Sequence, residues 1–215
     1  MFLCIDTTTE FAGVCATDIK KSVYLKLDTK HASDKILETI DQVIQKTDIK
    51  LSDLTGVVVI KGPGSFTGLR VGIAVTNQFA HQLKIPIVGL LTEEWHCYRT
   101  DEKDYFYLQT MNRDQVYMVG LGKFARDYPK CIISISECHY ELASQSDTKW
   151  IGQLNEDHHK KMAGIEEITD LRSADDTWLY FVRSLGGGLR QKKAYELIEP
   201  FYGKEPTITK SKKLK

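Results

Sequence analysis

Two short polar stretches hold the residues with the clearest chemical potential, Asp6 to Thr9 and Gly62 to Ser65. A carboxylate beside hydroxyls at a strand end can hold a metal-bound phosphate. Free N–H groups at the start of a helix attract an anion. The alternatives are structural, because Asp and Thr also cap turns, and glycines with Ser65 as N-cap also form a tight strand-to-helix turn. The candidate phosphate ligands are Asp6, Thr7, Gly64 and Ser65.

The usual nucleotide and catalytic motifs do not match. A P-loop needs Lys and Ser or Thr directly after its second glycine, and a Rossmann turn needs a third glycine. The chain has no GxSxG, HExxH or CxxC pattern. The adjacent His158 and His159 point apart on a helix or strand, which makes a poor metal pair. The sequence therefore predicts no catalytic residue and no metal site.

The helix predicted after the Gly62 to Ser65 turn, ending near Leu83, has more apolar surface than one sheet requires. At about 100° per residue its apolar and small residues cover roughly 200°, whereas one packing surface needs about 100°. An i, i+4 row of small residues, Gly68, Gly72, Thr76 and Ala80, would let another backbone approach. We expect a second helix to pack there, either from this chain or, as we prefer, from another subunit.

These stretches belong to two successive sets of predicted strands and helices, one in each half of the chain. The first half has the order β-β-β-α-β-α. Its strands are predicted at 2–5, 11–16, 22–27 and 57–60, and its helices are one at 33–46, capped by Ser33, and the long helix. A strand at 86–88 and a helix at 92–98 follow. The second half has strands at 105–108, 115–120, 131–135 and 149–151, helices at 137–144 and 175–184, and a loop at 155–163. Charged residues near 100–103 predict a boundary between units 1–100 and 101–215.

Composition narrows the class of protein. The 215 residues are 42% hydrophobic and 27% charged, with 29 basic and 29 acidic side chains. Zero net charge argues against a body that binds nucleic acid or membrane by itself. Five cysteines without a CxxC pair fit a reducing compartment. The first residues lack the basic flank of a signal peptide, so we expect a cytoplasmic protein without a membrane span.

The last third holds features with two interpretations each. Gly186 to Gly188 could let backbone approach an adenine or phosphate, but a helix stop with a flexible link is favoured. The lysines of the tail form a solvated end or lend weak phosphate affinity; they are Lys204, Lys210, Lys212, Lys213 and Lys215. The proline-bounded stretch 199–206 is expected to lie extended over a surface.

Several of these stretches together resemble the TsaB (YeaZ) family. The most specific is Gly62 to Gly72, preceded by Ile5 to Thr8 and by His31-Ala32-Ser33 before a helix. Met111 to Met118 is similar to the family's second-lobe hairpin, and Pro200 to Pro206 to its proline-tyrosine-basic-proline terminus. Gly203 departs from the bulkier residue common in the family.

The resemblance implies an α/β protein with the actin, Hsp70 and sugar-kinase fold, in which two RNase H-like lobes each hold a mixed sheet flanked by helices. It implies a non-catalytic subunit that stabilises a TsaD-like transferase in forming N6-threonylcarbamoyladenosine at position 37 of tRNA. It also implies that a TsaE-like ATPase completes the assembly and that tRNA is reached only through the complex. A homodimer in isolation, and ATP or ADP with Mg at the joint between subunits, are left open.

The resemblance also implies that first-lobe helices make the contact with the transferase. The alternative is an ATP-dependent phosphotransferase or ATPase of the same fold, using Asp6, Thr7 and the glycine-rich turn around phosphates. The residues assigned to the partner interface are Gly68, Val71, Gly72, Val75, Thr76, Phe79, Ile40 and Val43.

Overall fold

A computed structural model describes residues 1–28, 32–185 and 196–203. Its first sheet has five strands, β1 (Phe2–Asp6), β2 (Gly13–Thr17), β3 (Ser22–Lys26), β4 (Gly56–Gly62) and β5 (Ile87–Leu91), in the order β3-β2-β1-β4-β5. The first three form an antiparallel meander, and β4 and β5 run parallel to β1. Parallel neighbours need a crossover, which the helices α1 (Ala32–Thr47) and α2 (Phe66–Leu83) provide.

The second sheet repeats this arrangement. Its strands are β6 (Phe106–Thr110), β7 (Gln115–Gly120), β8 (Cys131–Ser134), β9 (Lys149–Gln153) and β10 (Glu166–Glu167), in the order β10-β9-β6-β7-β8. Again three strands are antiparallel and two are parallel to the first, with α4 (Ile135–Ala143) and α5 (Glu156–Lys161) as crossovers. The predicted fold class, two RNase H-like lobes with mixed sheets, is confirmed.

Both faces of the first sheet are covered, because apolar side chains alternate along each strand. Leu3, Ile5 and Val14 face the side of α1 and α2. Cys4 and Val58 face the opposite side, where α3 (Thr92–Cys97) and α6 (Ala174–Ser184) contribute large aromatic residues. Helix α6 follows the second sheet in the sequence but packs on β2 and β3. No helix among the described residues is both long and apolar enough to cross a bilayer.

Two local predictions were wrong. The stretch 155–163 is not a loop but holds α5, a helix of charged residues without hydrophobic periodicity; the Asn155 side chain caps it, and acidic residues fill its first turn and basic ones its last. Ser33 is not an N-cap, because it lies inside α1 and donates its hydroxyl to Asp34 Oδ1 at 3.1 Å. The two-residue strand β10 was not predicted. His31, Gly186 to Gly188 and the lysine tail lie outside the described residues, and the boundary near residue 100 stays a prediction.

Candidate functional site

The turn at residues 62–68, here called the elbow, joins β4 to α2 as the sequence predicted. Ser65 is the N-cap of α2, and its hydroxyl accepts a hydrogen bond from Gly68 N at 3.3 Å. Gly62 has a φ of 114°, which favours glycine. The elbow lies against the β1–β2 loop, so the fold brings the four candidate phosphate ligands to one place.

Asp6 organises the β1–β2 loop from inside. Its Oδ1 accepts hydrogen bonds from Thr8 N at 2.8 Å, Thr8 Oγ1 at 3.0 Å and Thr9 N at 3.2 Å, and its Oδ2 accepts one from Thr9 Oγ1. The residue is fully buried. Burial raises the pKa of Asp6, although these four hydrogen bonds act in the opposite direction. The carboxylate therefore serves as a turn cap, which favours the structural interpretation of this stretch.

The elbow and the loop leave no gap between them. Thr7 Oγ1 donates to Gly68 O at 2.7 Å. A Cβ added at Gly68 would lie 2.0 Å from Thr7 O, and one at Gly64 would lie 2.7 Å from Thr8 Cβ. Glycine is required at both positions, because the Thr7 backbone at Gly68 and the Thr8 side chain at Gly64 occupy the space that a Cβ would need. The polar groups of Asp6, Thr7 and Ser65 are thus directed at this chain's own atoms.

The small-residue row of α2 faces this chain's own atoms, and α1 is a helix of the same chain that contacts α2. Gly68, Gly72 and Thr76 are buried, and a Cβ at Gly72 would lie 2.3 Å from Thr7 Oγ1. The row therefore contacts the β1–β2 loop, so these three residues are not available to a partner.

The apolar residues beside that row are only half-buried. Val71, Val75 and Phe79 pack against the first-lobe core, while Ala74 between them is exposed. Half-buried apolar residues beside an exposed alanine leave room for a further helix to pack. This part of α2 keeps the apolar surface that the sequence predicted.

Helix α1 presents a different face from the one predicted. Ile40 and Val43 are 2% and 0% exposed within the first-lobe core, so this chain covers them already. Leu37 is 60% exposed, and sequence reasoning did not select it. The spacing of apolar residues could have identified Leu37, because it lies on the same side of α1 as Ile40 and Ile44.

Residues 196–203, here called the strap, cross α2 and reach both lobes. Ile198 exchanges two hydrogen bonds with the Asn77 side chain, at 2.9 and 3.0 Å, and Phe201 N donates to Lys61 O at 2.7 Å. The Phe201 ring lies 6.2 Å from the Tyr117 ring of the second lobe. The extended, surface-lying stretch that the sequence predicted is confirmed for its described part.

A buried acidic residue that the sequence did not single out joins the lobes. Glu93 of α3 is 2% exposed, and its Oε1 accepts from Lys130 Nζ at 2.7 Å and from Tyr117 OH at 2.9 Å. Burial and the nearby Glu93 raise the pKa of Tyr117, so its hydroxyl stays a donor. These contacts lie between the sheets, where the lobes meet.

A cavity of about 410 Å³ also lies between the lobes, with Glu10 on one side and Trp150, Asn155, His159 and Glu167 on the other. His159 Nε2 pairs with Glu167 Oε2 at 2.8 Å. Two carboxylates and one imidazole repel a polyphosphate more than they attract it. In the described part of the chain no cluster of His, Cys, Asp and Glu could hold a metal ion.

Comparisons with known proteins agree with this architecture. The TsaD family model, described as tRNA N6-adenosine threonylcarbamoyltransferase, matches residues 26–181. The chain is similar to the tRNA threonylcarbamoyladenosine biosynthesis protein TsaB of Buchnera aphidicola, at 38% identity over 43% of this chain and 44% of that protein. It is similar to the Escherichia coli protein of the same name, at 30% identity over 42% and 39%. These matches span about two fifths of each relative's length.

The fold has a solved counterpart. A crystal structure of an uncharacterised Pseudomonas aeruginosa protein, described as similar to the peptidase YeaZ, superposes with a TM-score of 0.72. It covers 94% of this chain and 99% of the other at 17% identity. The likeness extends over both lobes.

Proposed function

The chain belongs to the TsaB/YeaZ family, which is related to TsaD, and we propose that it takes part in forming N6-threonylcarbamoyladenosine at position 37 of tRNA. Its role in this proposal is that of a non-catalytic subunit, which binds and stabilises a TsaD-like transferase. A TsaE-like ATPase completes the assembly.

The observation that carries the non-catalytic role is the internal use of Asp6. In the alternative function, an ATP-dependent phosphotransferase, this carboxylate and Thr7 would be directed at a phosphate or its metal ion. Instead Asp6 accepts four hydrogen bonds from Thr8 and Thr9, and Thr7 bonds to Gly68 O. Binding a nucleotide there would require these contacts to break in a fully buried site, which costs free energy for each polar group left unpaired.

The transferase contact is proposed for the outer side of α2 and the exposed end of α1. Val71, Val75 and Phe79 supply half-buried apolar surface, Ala74 allows close approach, and Leu37 supplies an exposed apolar side chain. Burying such a side chain contributes about 1.5–3 kcal/mol. Compared with the sequence-based assignment, Gly68, Gly72, Thr76, Ile40 and Val43 are removed and Leu37 and Ala74 are added.

A capture experiment with the TsaD-like transferase of the same cells tests this role. Ala74→Arg places a long charged side chain on the proposed contact without disturbing the core, because Ala74 is exposed. We expect it to reduce capture at least tenfold, and Val75→Asp to abolish it. The matched control is Ala143→Arg at the exposed end of α4, which should leave capture unchanged.

Two measurements separate the outcomes. Thermal melting confirms that the α2 variants are folded, and Ala74→Arg covers the case in which Val75→Asp fails to fold. Normal capture by Ala74→Arg would contradict the assigned surface. Calorimetry of the isolated chain with ATP and Mg should show no submillimolar binding; such binding, lost in Asp6→Asn, would favour the phosphotransferase instead.

A further inference from the structure

Three sulfur-containing side chains meet in the core of the second lobe. Met118 on β7 lies directly opposite Cys131 on the edge strand β8, and side chains in such a pair share one face of the sheet with their Cβ atoms about 4.5–5.5 Å apart. Cys138 of α4 reaches the same place, with its Sγ 3.8 Å from Met118 Sδ. We call Met118, Cys131 and Cys138 the sulfur cluster.

The sulfur cluster has apolar surroundings, and its thiols are protonated. Cys138 and Met118 are 0% and 1% exposed within a core of hydrophobic side chains. Burial raises the pKa of Cys131, and burial together with nearby Cys131 raises the pKa of Cys138 to about 12. Both are therefore neutral thiols at physiological pH, and the Cys138 thiol donates to Met118 Sδ. Because oxidation begins at thiolates, the cluster is poorly suited to redox sensing.

The distance between two of these sulfurs matches that between two ligands of one metal ion. Sulfur ligands lie about 2.3 Å from a metal ion such as zinc, so two of them at an angle of about 110–120° are about 3.8–4.0 Å apart. Cys138 Sγ and Met118 Sδ are 3.8 Å apart, with the donated proton between them. A metal ion in place of that proton would require little movement of either sulfur.

Charge and ligand type select the metal. Exchange of the thiol proton for a monovalent ion keeps the buried site neutral, whereas a divalent ion on one thiolate would bury a net charge, which is costly. Thiolate and thioether ligands select Cu(I), while Mg, Ca and Mn prefer oxygen ligands. Structural zinc takes four Cys, His or carboxylate ligands, and the described residues provide no group of this kind. The cluster differs because a thioether joins its two thiols.

We propose that the sulfur cluster binds one Cu(I) ion, with Cys138 as thiolate, Met118 as thioether and Cys131 as the third sulfur ligand. The ion enters past Cys131, which is partly exposed on the edge strand. On binding, the Cys138 S–H bond breaks, a Cu–S bond forms and the proton leaves to solvent. Copper stays Cu(I), so the step consumes no oxidant or reductant. The proposal does not depend on the transferase role.

Competition with a chromogenic Cu(I) chelator, bicinchoninate, tests the site in the full chain under anaerobic, reducing conditions. We expect the chain to take up one Cu(I) ion. Met118→Leu and Cys138→Ala should each weaken uptake at least ~10-fold, because even changes outside the ligand set commonly cost about 10–100-fold in metal affinity. Met118→Leu conserves side-chain volume, so it tests the thioether even if Cys138→Ala fails to fold.

The other cysteines supply matched controls. Cys4 and Cys15 also lie opposite each other on neighbouring strands and are buried, but no methionine is among the described residues of their core cluster. Cys97 is an exposed thiol. Cys15→Ala and Cys97→Ser should leave the uptake of copper unchanged.

Two further readouts separate metal ligation from a change in core packing. The apparent affinity should rise about tenfold per pH unit near neutral pH, because binding releases one proton. X-ray absorption should show only sulfur neighbours around the copper, at about 2.3 Å. Melting temperatures check that each variant is folded.

The inference is overturned if the chelator keeps all the copper, or if folded Met118→Leu or Cys138→Ala takes up copper as well as the wild type does. Loss of uptake in Cys15→Ala, or nitrogen and oxygen neighbours around the copper, would also overturn it. A chain that captures the transferase through α2 but does not bind copper would leave the proposed function standing.

Discussion

At the scale of single residues, the fold uses several polar side chains for structure rather than chemistry. Asp6 caps a loop, and His96 of α3 is buried, with its Nδ1 2.8 Å from Thr92 O. Burial lowers the pKa of His96 to about 3, although the bond to Thr92 acts in the opposite direction, and nearby Arg99 lowers it further. The imidazole is therefore neutral in the folded chain over the physiological range, with Nδ1 as donor.

We predict that His96 makes the protein less stable in mild acid. Its pKa is near 6.5 when unfolded and about 3 when folded, so between these values the unfolded state binds the extra proton and stability falls as pH falls. The loss is about 2 kcal/mol between pH 7 and pH 5. Urea unfolding at both pH values should show it in the wild type and not in His96→Leu.

The comparison with His96→Leu is needed because burial shifts the pKa of Asp6 upward, which has the opposite effect on stability as pH changes. An equal pH dependence in the two proteins would show that the imidazole titrates normally in the folded chain.

Single residues also show what sequence could and could not specify. Ser65 as N-cap was predicted correctly, because capping depends on the few residues next to it. Ile40, Val43 and Gly72 were assigned to a partner surface but are buried within this chain, because helical spacing gives the angles between residues and not the direction in which each side faces. Glu93 was missed because its partners, Tyr117 and Lys130, are distant in sequence.

At the scale of elements, the proposed contact with the transferase depends on α2. Whether its row of small residues faces the core or the surface can be tested by mutation. The row contacts the β1–β2 loop through Gly68, which lies against Thr7. The apolar surface of α2 available to a partner is therefore the half-buried side with Val71 and Val75.

Gly68→Ala distinguishes an inward from an outward row by the sign of its effect. Facing inward, the added methyl meets Thr7 O and should destabilise the isolated chain by about 1–3 kcal/mol. On an outward face, the same change would stabilise the helix by up to about 1 kcal/mol, since Ala is the better helix former. Urea denaturation measures the difference, and Thr67→Ala at the exposed neighbouring position is the control, with a change within about 0.5 kcal/mol. A stabilised Gly68→Ala variant would contradict the inward direction.

Most strands and helices could be predicted, because the periodicity of hydrophobic residues and the turn residues between segments indicate where they lie. The strands of both sheets and the long helix were found from these signals, whereas α5 was not, since it buries only His158 among its six residues. The repeat of one strand order in two sheets was only weakly visible, because the topology is set by pairing between distant segments.

At the scale of the whole molecule, an ion pair between buried Glu93 and partly exposed Lys130 joins the lobes. Lys130 is 45% exposed and Glu93 is 3% exposed, so the carboxylate has the larger cost if it loses its partner. Together with the strap, this contact connects α3 to the second sheet.

We predict that Lys130→Met destabilises the protein by about 1–3 kcal/mol, because it leaves Glu93 buried without its cation. Adding Glu93→Gln should recover part of the loss, with a coupling of at least about 0.5 kcal/mol in a double-mutant cycle followed by urea unfolding. Arg126→Met, at a side chain that is 94% exposed, should change stability by less than about 0.5 kcal/mol. Additive effects of the two changes would show that the pair does not couple the lobes.

The return of α6 to the first sheet affects how the chain is made. Strands β1 to β5 are complete by Leu91, and Trp95 of α3 follows at once, but the rest of that face of the sheet is covered by Trp178 and Phe181, which leave the ribosome more than eighty residues later. At translation rates of about 5–20 residues per second, that part of the face stays uncovered for several seconds. The first lobe therefore completes its core only after the second sheet has been synthesised.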